Sequence, residues 1–322
     1  MPVAILRSER LSPAVRALLE SLDAQALARI ENLSVEEARR TRAEGFKKMG
    51  GPLVELGRVE NLRIPGPGGE ISLRLYSGQE GGGETGFWAG VVFFHGGGFV
   101  IGDLDTHDSL CRTLAKESGA VVVAVDYRLA PENRFPAAVE DAYAATVWIA
   151  ENAEKLGIDA RRIGVCGDSA GGTLATVFAA RCRDAGGPRL AAQVLFYPVT
   201  DMSRFDSGSY CDYAENYMLT RKAMQWFAGH YLGDAGDGRN SEASPLLAED
   251  LHGLPPALVI TAEFDPLRDE GEAYARRLRD VGTTVTETRY QGMVHGFALM
   301  LGVVEDGQKA IRETADFVRQ MM

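Results

Sequence analysis

Along most of this chain, short unbroken apolar runs alternate with longer stretches in which apolar positions recur every three or four residues. The runs predict strands at Val91–Phe94, Ala120–Val125, Arg162–Cys166, Ala192–Tyr197 and Ala257–Ala262, the first of them a buried-strand run, and a last strand is expected at Thr284–Tyr290. The periodic stretches predict helices at about Thr106–Ser118, Ala137–Asn152, Ala170–Asp184, Asp269–Val281 and Glu305–Gln320. Two earlier strands, Val59–Ile64 and Ile71–Tyr76, flank the turn Pro65-Gly66-Pro67-Gly68-Gly69.

Strands that are apolar throughout, each followed by a helix, belong in a mostly parallel sheet covered on both faces. The early pair would add an antiparallel edge and make eight strands. Two regions break the rhythm. Leu11 to about Gly50 reads as helices only: Ser12-Pro13 supplies a cap with proline at the first helical position, Ser34-Val35-Glu36-Glu37 fits a capping box, and Gly50-Gly51-Pro52 is a stop. The stretch Asp201 to Ser244 is too long for a plain connection, carries one helical pattern at Thr220–Leu232 and is rich in aromatics. The expected organisation is therefore N-terminal helices at 1–55, an α/β domain at 56–200 and 245–322, and an insertion at 201–244 that joins the N-terminal helices as a cap over the sheet. Gln79–Gly86, rich in Gly and Glu, is expected to be an exposed loop.

The chain's 322 residues suffice for a large core without covalent staples. Its 34 basic and 45 acidic residues leave a net charge of −11, which argues against nucleic acid and anionic membranes as partners. The four cysteines, Cys111, Cys166, Cys182 and Cys211, form no C-x-x-C pair and no zinc-like spacing with histidine, so no metal is expected. No apolar run is long enough to span a membrane, and Met1–Arg10 lacks the apolar stretch of a signal peptide. The expected compartment is the cytoplasm.

Candidate chemistry starts at Gly167-Asp168-Ser169-Ala170-Gly171. This is G-x-S-x-G between a predicted strand and a predicted helix, where a sharp turn would expose the serine oxygen. A serine hydroxyl needs a base. Of the five histidines, His95 and His107 precede the serine, His230 lies in the insertion and His252 stands before a strand. His295 follows the last strand, and an elbow of this kind orders its partners serine, acid, histidine, so it is the candidate base. The acid should end a strand between Ser169 and His295. Asp265 fits best; Asp201, Glu263 and Asp269 are alternatives. After the Val91–Phe94 strand, His95-Gly96-Gly97-Gly98-Phe99 could aim backbone N–H groups at a developing oxyanion, with the N–H of Ala170 as a further donor. The loop lacks the G-K-[ST] ending of a phosphate loop and does not match G-x-G-x-x-G.

These segments, together with Asp126-Tyr127-Arg128-Leu129-Ala130-Pro131-Glu132, Phe135-Pro136-Ala137-Ala138, Asp265-Pro266-Leu267-Arg268-Asp269 and His295-Gly296-Phe297, resemble the hormone-sensitive-lipase-like esterases of the α/β-hydrolase fold, in the branch carrying G-D-S-A-G. The resemblance spans roughly residues 60–320. It implies that Gly97 and Gly98 donate to the oxyanion with Ala170. It also implies a cap built from the N-terminal helices and the insertion, hydrolysis of short- to medium-chain acyl esters, no cofactor, and a possible homodimer. An amidase, lactonase or deacetylase would use the same machinery. A non-catalytic ligand receptor on this fold is disfavoured by the retained His295. Phe99, beside the glycine loop, is the best pocket candidate, with Asp168, Phe205 and Tyr213 as further expected substrate contacts. Tyr210, Tyr217, Trp226 and Phe227 either join them or pack the cap.

Overall fold

The computed structural model describes residues 8–21, 29–78, 86–206, 208–233 and 236–322. The expected loop at Gln79–Gly86, save its last residue, lies outside them, as does most of Met1–Arg10.

Eight strands form one sheet: β1 (Arg58–Gly66), β2 (Gly69–Ser77), β3 (Trp88–Phe94), β4 (Val121–Asp126), β5 (Ile158–Asp168), β6 (Ala192–Phe196), β7 (Ala257–Phe264) and β8 (Val285–Val294). Their spatial order is β1-β2-β4-β3-β5-β6-β7-β8. β1 and β2 form an antiparallel edge, and every pairing from β4 to β8 is parallel. Each strand predicted from the apolar runs is present.

The helices are α1 (Pro13–Ser21), α2 (Val35–Met49), α3 (Asp108–Ser118), α4 (Ala137–Glu151), α5 (Ala153–Leu156), α6 (Ala170–Ala185), α7 (Ser209–Asp212), α8 (Arg221–Leu232), α9 (Arg268–Asp280) and α10 (Glu305–Met321). Two cores sandwich the sheet, and alternate residues of its central strands serve one or the other. Val92 and Phe94 of β3 face α4, α6 and α9; Val91 and Phe93 face α1, α3 and α10. Burial on both faces is why these strands read as unbroken apolar runs.

The Ser34–Glu37 capping box forms as its spacing predicts, with Ser34 Oγ accepting from Glu37 N and the Glu37 carboxylate accepting from Ser34 N. Arg39 then ties α2 to the body of the fold, donating to the carbonyls of Val100 and Ala130 at 2.9 Å and pairing with Glu132. α8 lies between β6 and β7 in sequence and packs its Phe227, Tyr231 and Met224 into the core on the α4/α6 face.

Candidate active site

In a parallel sheet, the loops leaving the carboxyl ends of the strands converge on one rim. Here His95 is the residue after β3, Ser169 after β5, Asp265 after β7 and His295 after β8. Four separate stretches of sequence thus place their first loop residue on the same edge.

Ser169 has φ 54° and ψ −118°, a conformation that non-glycine residues rarely hold. Its surroundings impose it: Ser169 N donates to Phe196 O at 2.8 Å, and Ser169 O accepts from Val199 N at 3.2 Å. The turn is tight enough that a side chain at Gly171 would collide with the Phe94 carbonyl, and one at Gly167 with Gly171. The G-x-S-x-G spacing therefore answers to backbone packing.

His295 Nε2 lies 3.1 Å from Ser169 Oγ, and His295 Nδ1 lies 2.7 Å from Asp265 Oδ2. Asp265 is fully buried, and its other oxygen accepts from Leu267 N at 2.9 Å. A carboxylate facing Nδ1 fixes the tautomer that carries its proton there and leaves Nε2 free to accept from the serine. The Tyr197 ring, itself on backbone of positive φ (34°), packs 4.7 Å from the imidazole. The alternative acids are engaged elsewhere. Asp201 accepts from Ser203 N, Glu263 accepts from Gly292 N and pairs with Arg10, and Asp269 accepts from Ser209 N. His252 pairs with Asp250 on an exposed loop, and His230 sits edge-on to Trp226.

The loop after β3 turns back on itself, with Gly97 at φ 119° and Gly98 at φ 60°. Gly97 O accepts from Val100 N and Ile101 N. A side chain at Gly98 would strike the Phe227 ring. Ala170 is the first residue of α6, so its N–H has no acceptor within that helix. Tyr127 donates its hydroxyl proton to His95 O at 2.7 Å, and the two rings stack 4.3 Å apart. The Asp126–Glu132 segment thereby buttresses the glycine loop from behind. Burial, with His107 adding to it, pushes the His95 imidazole down to about 4.

Ser169, His295 and Gly96–Gly98 open on a cavity of about 400 Å³. Its walls come from α1 (Leu18), α2 (Phe46, Met49), the short turn at Ile30, Met218 and Leu219, α8 (Met224, Phe227) and the stretch after β8 (Met300, Val303). Three expected substrate contacts are not among its lining residues. Phe99 is fully buried and stacks on Tyr231 at 3.8 Å, because the loop turns its side chain into the core. Tyr213 packs against Tyr217 and Phe264 and accepts from Arg268. Phe205 packs on Tyr210 and borders a different surface depression. Asp168 does border the cavity, but its carboxylate accepts from Gly96 N at 2.8 Å and lies 3.2 Å from His107 Nε2. Burial alone would raise this carboxyl; His107, His95 and the Gly96 N–H outweigh it and hold it below the usual aspartate value. No motif in the sequence marks the wall residues on α2, although Phe46 and Met49 share one helical face.

Among the described residues, no cluster of three or more His, Cys, Asp or Glu side chains is arranged to hold a metal ion, and no helix is long and apolar enough to cross a membrane. All four cysteines are free, and only Cys211 is exposed.

A serine bonded to an imidazole that is oriented by a buried carboxylate, beside a glycine-rich loop at a sheet's carboxyl rim, defines the serine-hydrolase class of site. Residues 91–299 match the family of the α/β-hydrolase fold, and the chain belongs to that family, in its hormone-sensitive-lipase-like part. It is 48% identical to the carboxylic ester hydrolase LipN of Mycobacterium tuberculosis over 77% of this chain and 66% of that one. It is 38% identical to an ethyl acetate hydrolase of Pseudomonas putida over 96% of this chain and 99% of the other. Its structure superposes on that of a hyperthermophilic esterase from the archaeon Pyrobaculum calidifontis with a TM-score of 0.91, at 44% identity, covering 97% and 98% of the two chains.

Proposed function

We propose that this chain is a serine carboxylesterase that hydrolyses short- to medium-chain acyl esters through an acyl-enzyme on Ser169. The observation that carries the reading is His295, bonded on one side to Ser169 Oγ and on the other to buried Asp265. The ester and esterase activities named for its relatives support the same substrate class.

In this mechanism His295 Nε2 takes the Ser169 proton as Oγ attacks the ester carbonyl. The resulting oxyanion rests on the N–H groups of Gly97, Gly98 and Ala170. The carbonyl–alkoxy bond then breaks, and His295 returns its proton to the departing alcohol. Water, deprotonated by the same imidazole, attacks the acyl-enzyme and frees the acid and Ser169. Asp265 stabilises the imidazolium without taking a proton. Helices α1 and α2 and the 201–244 segment act as the cap that encloses the substrate. The cavity of about 400 Å³ suits a short or medium chain.

The test is hydrolysis of p-nitrophenyl esters from acetate to dodecanoate, wild type beside Ser169→Ala. Turnover that depends on Ser169 and peaks at short or medium chains is expected. Folded wild-type protein with no turnover at any length would overturn the reading.

A further inference from the structure

Glycine is the least favoured residue in a helix interior after proline, so a glycine kept there calls for a reason. Gly171, Gly172 and Gly307 have one: backbone or side chains stand where their Cβ would be. Among the described residues, two helical glycines have neither a positive φ nor any atom within 4 Å of an added Cβ: Gly45 in α2 and Gly229 in α8. Gly45 differs from Gly229 in where it points. Thr41, Gly45 and Met49 follow one another at four-residue spacing along α2, and all three line the cavity above Ser169, whereas Gly229 does not border it. The open space at Gly45 is therefore space inside the cavity.

The surroundings say what would fill that space. Phe46 and Met49 flank Gly45 on the same helix, and Met300 and Val303 border the same cavity. Gly302 N donates to Met49 O at 3.0 Å, so the end of α2 is fastened to the stretch that carries Met300 and Val303. Arg42 and Lys48 also border the cavity, one turn either side of Gly45, but Lys48 is exposed, Arg42 feels the charge of Glu31, and the wall as a whole is mostly apolar, so an alkyl or aryl group suits it.

We propose that Gly45 is a specificity-determining residue: its missing side chain provides the room for the far end of the ester's alkyl or aryl chain. The inference rests on the carboxylesterase reading of the site and deepens it. It accounts for a glycine that propensity disfavours and packing does not require.

The experiment compares Gly45→Ala, Gly45→Leu and Gly45→Phe with wild type, and with Gly229→Ala as a control for helix propensity. Both alanine variants should raise Tm by roughly 2–4 °C, because both replace an unstrained helical glycine. Only the Gly45 series should change selectivity. The ratio of kcat/KM on the octanoyl ester to that on the acetyl ester should fall in order of side-chain size, by at least about tenfold in Gly45→Phe, since a single methylene of misfit is worth about 10-fold or more. An unchanged ratio in Gly45→Leu and Gly45→Phe would overturn the proposal, as would an equal loss on both esters. Calorimetric titration with methyl alkyl ketones of increasing length reads the same cavity without turnover. Weaker binding of the long ketone by Gly45→Phe is expected, and equal binding counts against the proposal. Wild-type protein that binds the ketones but hydrolyses no ester would instead sink the esterase reading.

Discussion

The Asp168 carboxylate accepts a hydrogen bond from the Gly96 N–H at 2.8 Å, and this bond fastens the turn that presents Ser169 to the loop that presents Gly97 and Gly98. The contact is close: a side chain at Gly96 would collide with the same carboxylate. Asp168 is 2% exposed and also faces His107, so its charge is spent inside the protein and is not offered to a ligand.

Asp168→Asn keeps an oxygen for Gly96 N–H but loses the charge that faces His107. A fall in kcat of about tenfold is expected, comparable to one charge-assisted bond. Asp168→Ala frees the loop and leaves buried partners unmatched; kcat should fall about 10²–10³-fold, as when an oxyanion donor is lost, with roughly 3–5 kcal/mol less stability. Steady-state kinetics and urea unfolding on the same samples check both. Wild-type kcat in Asp168→Ala would break the link between this bond and catalysis.

Ser169→Ala and His295→Asn remove the proposed nucleophile and its proposed base. Each should lower kcat by up to about 10⁶, with the double variant little worse than either, because the two act as a unit. Multiplicative losses in the double variant would show that they do not share a step.

Asp265→Asn tests orientation separately from charge transfer. An amide in the buried position can present its NH₂ to Nδ1 and turn the imidazole to the wrong tautomer, so kcat should drop by about 10⁴. Labelling of Ser169 by a fluorophosphonate should slow in parallel. Rapid labelling alongside slow ester turnover would place the effect of Asp265 after acylation.

Two buried groups set opposing trends of stability with pH. Burial pushes the Glu270 carboxyl up to about 8, against hydrogen bonds from Thr200 N and Asp201 N. The folded state then holds a proton that the unfolded chain releases near 4.5, so this group's contribution is lost as pH rises through about 8. His95, pushed down to about 4, works the other way: its contribution is full above 6.5 and is lost as pH falls towards 4. The difference between wild type and Glu270→Gln isolates the first group. The variant should gain on wild type by up to about 1.4 kcal/mol per pH unit between pH 5 and 8 in urea unfolding. A difference that is flat across that range would rule out a protonated Glu270.

The eight strands, the helices between them and the serine elbow were legible in the sequence because each depends on neighbours along the chain. Burial on both faces writes an unbroken apolar run, and the elbow's glycines lie two residues either side of Ser169, where the backbone crosses itself. His295 was legible because chain order within a parallel sheet decides which loops share a rim. Asp265 was already the best-placed acid in the sequence, ahead of Asp201, Glu263 and Asp269, but all four lie near strand ends, and it is the folded chain that brings Asp265 to Nδ1. The cavity wall was decided wholly there. Phe99, Phe205 and Tyr213 are aromatic in the right part of the sequence, yet each finds a partner in the packing, while Phe46, Met49 and Met300 reach the cavity from segments far from Ser169. A side chain's own sequence neighbourhood records the face it must bury, but which surface covers that face depends on how distant helices settle across the sheet.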